Sequence, residues 1–338
     1  FGSSRLAQVS QELLYCRSGA ICCMSTHIHP QRMTGSSKVD SDYQQWSTDS
    51  DSGVKLKIMT WNVLARLYTH WNWQHGSKWP DSSDADSRAR ETHQQAQNRY
   101  DMAVRAILES DCDIVLLQEC DASFLDDKYN WMAWYLWEKY DCVHSVQPSQ
   151  TNVYEGGTAV LIKKDGVASP AGRTFALGGT HATGGRSKIA TVVPVQVGGS
   201  KTIQVVSVHF SCSWEAQLNL ARLIREYLPC NQSIVLGGDF NVEFAKADSL
   251  ASVIFPAENP CSRAQLPKGA KTGLTGDMMK QVSIDHIFTS TDVETVEAYS
   301  HGSPQAPWYW DERACGPSRV VAASDHVPVL AVLRIPTT

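Results

Sequence analysis

Seven polar residues of this sequence stand where apolar runs stop or start. Asn62 closes Ile58-Met59-Thr60-Trp61. Glu119 closes Ile114-Val115-Leu116-Leu117-Gln118, and His209 closes Ile203-Gln204-Val205-Val206-Ser207-Val208. Asp239 and Asn241 follow Ile234-Val235-Leu236-Gly237-Gly238, and Asp325-His326 directly precedes Val327-Pro328-Val329-Leu330. A short apolar run reads as a buried strand, and a strand end is where a rigid scaffold hands side chains to solvent. Carboxylates and amides hold hard divalent cations, and imidazoles move protons. Such strand ends therefore predict one metal-and-histidine site assembled from across the chain.

The elements that must position these residues follow from the patterning. Strands are expected at Lys55 to Asn62, up to Glu119, at Gly157 to Lys163, Ile189 to Val197 and Lys201 to Phe210, up to Asp239, at Ser283 to Ser290 and at Val327 to Ile335. Helices are expected at Arg99 to Glu109, with Met102, Ala103, Ala106 and Ile107 on one face, at Tyr129 to Lys139, and at Glu215 to Tyr227, with Leu218, Ala221, Leu223 and Ile224 inward. Strands outnumber helices and the two alternate, which predicts an α/β fold: a two-layer β-sandwich flanked by helices, as a single domain over residues 54–338. Residues 1–53 are rich in Ser, Thr, Asp, Gln and Gly toward their end and read as a flexible leader with a short helix around Leu6 to Tyr15.

Bulk composition limits the partners. The 338 residues are 42% hydrophobic and 19% charged, as in ordinary soluble proteins. A net charge of −5 argues against a protein that coats nucleic acid nonspecifically. It leaves a nuclease open, because a bound divalent cation supplies positive charge where a phosphate sits. No apolar run approaches the roughly 20 residues that a membrane helix needs. The chain begins at Phe1, so the natural N-terminus is expected upstream, with any targeting signal. The 10 cysteines contain no Cys-x-x-Cys pair, so a structural zinc site is not expected. Free thiols and an intracellular, reducing location are, although the compartment is not readable.

Taken singly, several of these residues have ordinary readings. Asn62 after a strand is a turn residue, and Gly238-Asp239 is a turn pair. Ser324-Asp325 is a cap or Asx-turn, although Pro328 opposes a following helix. Glu119 has no such reading, because a carboxylate at the end of a wholly apolar strand is costly without a partner. The agreement of all the positions outweighs the single readings.

In order along Val54 to Ile335, six segments carry a family resemblance: Thr60-Trp61-Asn62-Val63-Leu64-Ala65, Leu117-Gln118-Glu119, Ser207-Val208-His209-Phe210, Gly238-Asp239-Phe240-Asn241, Ile284-Asp285-His286-Ile287-Phe288 and Ser324-Asp325-His326. The chain thereby resembles the endonuclease/exonuclease/phosphatase (DNase I-like) superfamily, and within it the deadenylase and nocturnin group. That resemblance implies a Mg²⁺-dependent phosphodiesterase, with Mn²⁺ as a substitute. Asn62, Glu119 and Asp325 would be metal ligands, Asp239 would orient or deprotonate the attacking water, and Asn241 would hold Asp239 and the phosphate. His326 would pair with Asp285, and His209 would donate a hydrogen bond to a phosphate oxygen.

The same resemblance favours a nuclease acting on RNA in the manner of a 3′-5′ exoribonuclease, with protein partners unknown. Leu64, where an AP endonuclease has an acidic residue, argues against that activity, and Ile284-Asp285-His286-Ile287 replaces the Trp-Cys-Asp-Arg stretch of inositol phosphatases. The residue after Asp285 is not the aromatic usual in deadenylases. A sphingomyelinase-like or small-molecule phosphodiesterase is therefore an alternative, as is a catalytically dead scaffold. Two further features stand apart: Trp131, Trp134 and Trp137, expected as a packing stripe, and an insertion from Tyr68 to Pro80 with Trp71, Trp73 and Trp79, which follows Asn62. Gly184-Gly185-Arg186-Ser187-Lys188 offers two cations but reads as a solvated turn, and His181, His286 and His301 have no evident partner.

Overall fold

The apolar runs that end on polar residues become the central strands of two stacked sheets. The computed structural model describes residues 53–65, 93–145, 156–172, 174–178, 189–229, 231–274, 281–300 and 323–336. In chain order these form β1 (Gly53–Asn62), α1 (His93–Ser110), β2 (Ile114–Cys120), α2 (Ala122–Leu125), α3 (Ala133–Lys139), β3 (Tyr140–Ser145) and β4 (Gly157–Lys163). There follow β5 (Ala168–Pro170), β6 (Phe175–Gly178), β7 (Ile189–Val197), β8 (Lys201–His209), α4 (Trp214–Tyr227), β9 (Ser233–Asp239) and α5 (Phe244–Ile254). The described chain ends with β10 (Cys261–Arg263), β11 (Gly273–Leu274), β12 (Gln281–Val282), β13 (Asp285–Ser290), β14 (Glu294–Ser300) and β15 (Val329–Pro336).

One sheet has the order β14-β15-β1-β2-β4-β3 and the other β10-β13-β9-β8-β7-β5, with β6 also on β7. Each sheet contains a single parallel pair among antiparallel neighbours: β1 with β2, and β8 with β9. A parallel pair needs a long crossover, and here α1 and α4 lie within the two connections. The consequence for function is that β1, β2, β8 and β9 all run toward the same end of the sandwich. Their last residues meet there, as the hydrogen bond from Asn62 to Asp239 shows.

Alternation along the strands builds the layers. On β1, Leu56 and Ile58 join Ile114, Leu116, Val205 and Val235 between the sheets, while Met59 and Trp61 face α1 with Val115 and Leu117. On β8, Ile203 and Val205 face inward, and Val206 and Val208 pack with Leu220, Ile224 and Leu250 of α4 and α5. Helices thus cover both outer faces, and strands buried on both sides read as unbroken apolar runs.

The two-sheet sandwich with flanking helices is the expected fold, and most strand bounds agree with the patterning. Edge elements were not legible. β14 carries mostly exposed and half-buried residues with a register shift, and β3 alternates polar residues, so neither stands out as an apolar run. α5 is not among the expected helices, although Ala247, Leu250, Ala251 and Ile254 form its buried stripe. The helix expected from Tyr129 begins only at Ala133, and this overturns the tryptophan stripe. Its core face is Met132, Ala133 and Leu136, which leaves Trp131, Trp134 and Trp137 52%, 56% and 37% exposed.

The free thiols among the described residues include Cys112 and Cys120, both buried, and Cys212, exposed. No helix among the described residues is long and apolar enough to cross a membrane. The leader with its helix at Leu6 to Tyr15, the insertion at Tyr68 to Pro80, the Gly184 to Lys188 stretch, His181 and His301 lie outside the described residues.

Candidate active site

The inward-facing rows of the sandwich change character toward one end. Beyond the aliphatic layer comes a buried polar layer, in which Gln118 Nε2 donates to Thr60 Oγ1, Ser207 Oγ and Leu116 O, each at 3.1 Å. Ser207 Oγ in turn donates to Leu117 O at 3.0 Å, which stitches the two sheets together. Two residues further along their strands, the same rows present Asn62, His209 and Asp239, and Asp285 opens β13 opposite Asp239. Strict period-2 alternation therefore aims four of the expected residues at one place.

Glu119 breaks that alternation. Gln118 faces inward, so a regular strand would turn Glu119 toward the helices. Instead, the pairing of β2 with β4 shifts register between Gln118 and Cys120, and Glu119 adopts a left-handed φ of 51°. Such a bulge re-aims a side chain, and it costs the chain a backbone conformation that residues with a Cβ rarely adopt. The carboxylate is thereby brought to 3.7 Å from His209 Nε2 and accepts a hydrogen bond from Ala65 N at 3.2 Å. Gly156 makes the bulge possible, because a Cβ there would stand 2.6 Å from the Cα of Glu119. Leu64 and Asn241 are also left-handed, at φ 57° and 52°, so the three strand ends bearing Asn62, Glu119 and Asp239 all turn sharply at the site.

All eight expected residues form one connected cluster. Asp239 accepts from Asn62 Nδ2 at 3.0 Å and from the backbone of Asn241 at 2.8 Å, and lies 3.6 Å from His209 Nε2. His326 Nδ1 bonds Asp285 Oδ2 at 2.8 Å, while its Nε2 lies 3.9 Å from Asp239 and 4.0 Å from Asp325. The side chain of Asn241 reaches Phe210 O at 2.9 Å, so its backbone N–H, not its amide, holds Asp239. Asn62 keeps its turn role as well, since its Oδ1 accepts from Leu64 N at 3.0 Å.

Burial tunes the cluster. Loss of solvent, with help from the nearby Asp285 charge, lifts Asp239 to about 7 despite the opposing influence of His326 and Asn62. For His326, burial works to lower the pKa, but Asp285, Asp325 and Asp239 together overcome it and hold the imidazole well above its usual value. A carboxylate balanced near neutrality can take a proton, and a neighbouring imidazolium can stabilise developing negative charge. His286, by contrast, is a core histidine: its Nε2 meets Val242 O at 3.1 Å, its ring packs on Phe240, and burial lowers its pKa.

Several supporting residues escaped the sequence reading. Thr272 Oγ1 accepts from the backbone of Ile284 and Asp285, both at 3.0 Å, and its carbonyl accepts from Val327 N at 2.8 Å. Gly273 lies against the His326 ring, where a Cβ would come within 3.1 Å. Trp61 Nε1 donates to His326 O at 3.0 Å, and Ser324 Oγ donates to Asn62 O at 2.6 Å. Thr272 and Gly273 have no one-dimensional signature; Trp61 and Ser324 lie in segments that carry the resemblance, but their partners His326 O and Asn62 O are 265 and 262 residues away.

Two sets of donors suit a cation. Asp239, Asp285 and His326 offer ligand atoms within 4.8 Å of one another. The Asp285–His326 hydrogen bond, however, already occupies an oxygen and a nitrogen of that trio. Asn62, Glu119 and Asp325 present hard oxygen donors in a nearly buried setting crowded with carboxylates, and Asn62 Oδ1 has a second lone pair beyond the one Leu64 N uses. Oxygen donors with carboxylates in excess fit Mg²⁺ or Mn²⁺ better than a soft metal.

A family model described as the Endonuclease/Exonuclease/phosphatase family matches residues 59–326. No curated protein sequence matches the chain. Among solved structures, an endonuclease/exonuclease/phosphatase from Bacteroides vulgatus is similar with a TM-score of 0.58 and 18% identity, over 83% of this chain and 99% of that one. ANGEL2, a 2′,3′-cyclic phosphatase in complex with adenosine-2′,3′-vanadate, gives 0.60 and 16% over 84% and 96%. A mannosyl-6-phosphatase from Bacteroides thetaiotaomicron gives 0.55 and 16% over 82% and 99%. At these identities the likeness is one of fold.

Proposed function

Because this chain belongs to the endonuclease/exonuclease/phosphatase family, whose members hydrolyse phosphoesters, we propose that it is a metal-dependent phosphodiesterase acting on nucleic acid, with RNA degraded from its 3′ end as the favoured substrate. The observation that carries the mechanism is Asp239, pinned by Asn62 and Asn241 and lifted to about 7 beside the His326 imidazole. Asp239 orients the attacking water and takes its proton. His326, held by Asp285 and with its pKa raised by the surrounding carboxylates, stabilises negative charge on the phosphoryl oxygens. His209 donates a hydrogen bond to a phosphate oxygen. Glu119, Asn62 and Asp325 would hold a Mg²⁺ ion, or Mn²⁺ in its place, which when bound would supply charge stabilisation at the phosphate.

The choice of RNA rests on the motif resemblance to the deadenylase and nocturnin group. The adenosine-2′,3′-vanadate bound by the similarly folded ANGEL2 is in keeping with it. The test is hydrolysis of a 3′-hydroxyl poly(A) RNA, the matched single-stranded DNA, and an RNA ending in a 2′,3′-cyclic phosphate, with Mg²⁺ and then with EDTA. Mg²⁺-dependent stepwise shortening of the poly(A) strand is the expected result. Opening of the cyclic phosphate without shortening would replace the exonuclease reading with a terminal phosphatase. No reaction on any of the three would turn the search to lipid and sugar phosphates.

A further inference from the structure

Arg99 lies on α1, on none of the strand ends that carry the site, and it is completely buried. Its Nη1 donates to Val63 O at 2.8 Å and to Ala323 O at 3.2 Å. Val63 directly follows Asn62, and Ala323 precedes Asp325 by two positions. One guanidinium nitrogen therefore joins the backbone segments of two proposed metal ligands that come from opposite ends of the domain.

The junction is reinforced around this contact. Ser324 Oγ donates to Asn62 O at 2.6 Å across 262 residues of sequence, and accepts from His326 N at 3.1 Å. Val63 N donates to Gln118 O at 2.9 Å, which ties the same segment to the residue before Glu119. All three segments that present hard oxygen donors are thus fastened to one another through backbone atoms. A buried guanidinium is costly to desolvate, and a planar, always-charged fork is suited to holding two carbonyls at a fixed separation.

We infer that Arg99 is a positioning residue for the divalent cation: by clamping Val63 and Ala323 it sets the spacing between Asn62 and Asp325. The inference rests on the metal site proposed above. Outer groups that orient metal ligands commonly change metal affinity about 10- to 100-fold when removed. A purely structural Arg99 would instead affect the fraction of folded protein and leave the folded protein's affinity for metal unchanged.

The experiment is calorimetric titration of Mn²⁺ into the full chain, as wild type, Arg99→Met, Arg99→Lys and Glu119→Ala, with circular dichroism and thermal melts recorded on each. Loss of binding in Glu119→Ala ties the heat to this site. Arg99→Met is expected to weaken Mn²⁺ binding on the order of 10-fold or more, with Arg99→Lys recovering part of it, since an ammonium keeps the charge without the rigid fork. A folded Arg99→Met with wild-type affinity would overturn the inference and leave the metal site standing. If Arg99→Met does not fold, Arg99→Lys decides: weakened binding supports the clamp, and wild-type binding overturns it. Absence of Mn²⁺ binding in the wild type would overturn the metal site, and the inference with it.

Discussion

Burial and close neighbours move Asp239 and His326 away from the pKa values that solvent would give them. At neutral pH an ordinary aspartate is ionised and an ordinary histidine mostly neutral. Here burial raises Asp239 to about 7, and the surrounding carboxylates raise His326 well above its usual range. The sign of the pH dependence follows. A base must be ionised to act, so kcat/KM should rise with pH as Asp239 loses its proton and level off above about 7. A bound divalent cation favours the carboxylate and moves that rise to lower pH. Asp239→Asn should lower the rate on the order of 10²-fold or more and flatten the acid limb. A pH–rate profile of both proteins checks this, and an unchanged limb in the variant would assign the base elsewhere.

At the scale of the element, the site depends on one irregularity in β2. Regular alternation supplies Asn62, His209, Asp239 and Asp285, whereas Glu119 reaches them only because the strand bulges at a left-handed residue. Gly156, just before β4, leaves room for it, and β3 approaches so closely at Gly157 that a Cβ there would stand 2.3 Å from Ser145 O. Gly156→Ala should therefore displace Glu119, because the obstacle it meets is backbone and not a flexible side-chain tip. Overpacking of this kind costs about 1–3 kcal/mol. The expected outcome is a lowered melting temperature together with weaker metal-dependent activity. A variant with a lowered melting temperature and full activity would separate the bulge from the chemistry.

At the scale of the whole molecule, the two sheets carry the site jointly, and a contact remote from it ties together three strands of one of them. Asp292, between β13 and β14, accepts from Ser290 Oγ at 2.6 Å and Lys201 Nζ at 3.1 Å, and is also hydrogen-bonded to Ser233. It so links β8, β9 and β13. Burial works to raise its pKa, but those three partners prevail and bring it to about 2. A depressed carboxylate contributes stability above its unfolded pKa of 3.8, which is lost as pH falls through about 2. The full linkage is about 2 kcal/mol, discounted to about 1 kcal/mol by screening at a side chain that is 41% exposed. Asp292→Asn should lose roughly that stability at pH 7 and almost none near pH 2. Urea unfolding at both pH values checks it, and an equal loss at both would remove the charge from the explanation.

All the candidate residues but Asp285, which only the family resemblance supplied, were legible at strand ends, because a strand buried on both faces must be apolar and the polar residue beside it then stands out. Alternation also explains why Asn62, His209, Asp239 and Asp285 share a face, since side-chain direction is a local property of an extended backbone. The tertiary structure alone decided the rest. Glu119 turns inward through a bulge whose room comes from Gly156, a residue that directly precedes another strand. Arg99, Thr272 and Ser324 act on segments distant in sequence, Asp239 owes its raised pKa first to burial, and His326 owes its own to carboxylates that the stacking of two sheets brings within about 4 Å. Trp131, Trp134 and Trp137, spaced like a packing stripe, are exposed because Met132, Ala133 and Leu136 supply the face that packs on the core. A sequence records which groups are present and how they alternate; distances between remote groups, and the pKa shifts that depend on them, exist only once the chain has closed on itself.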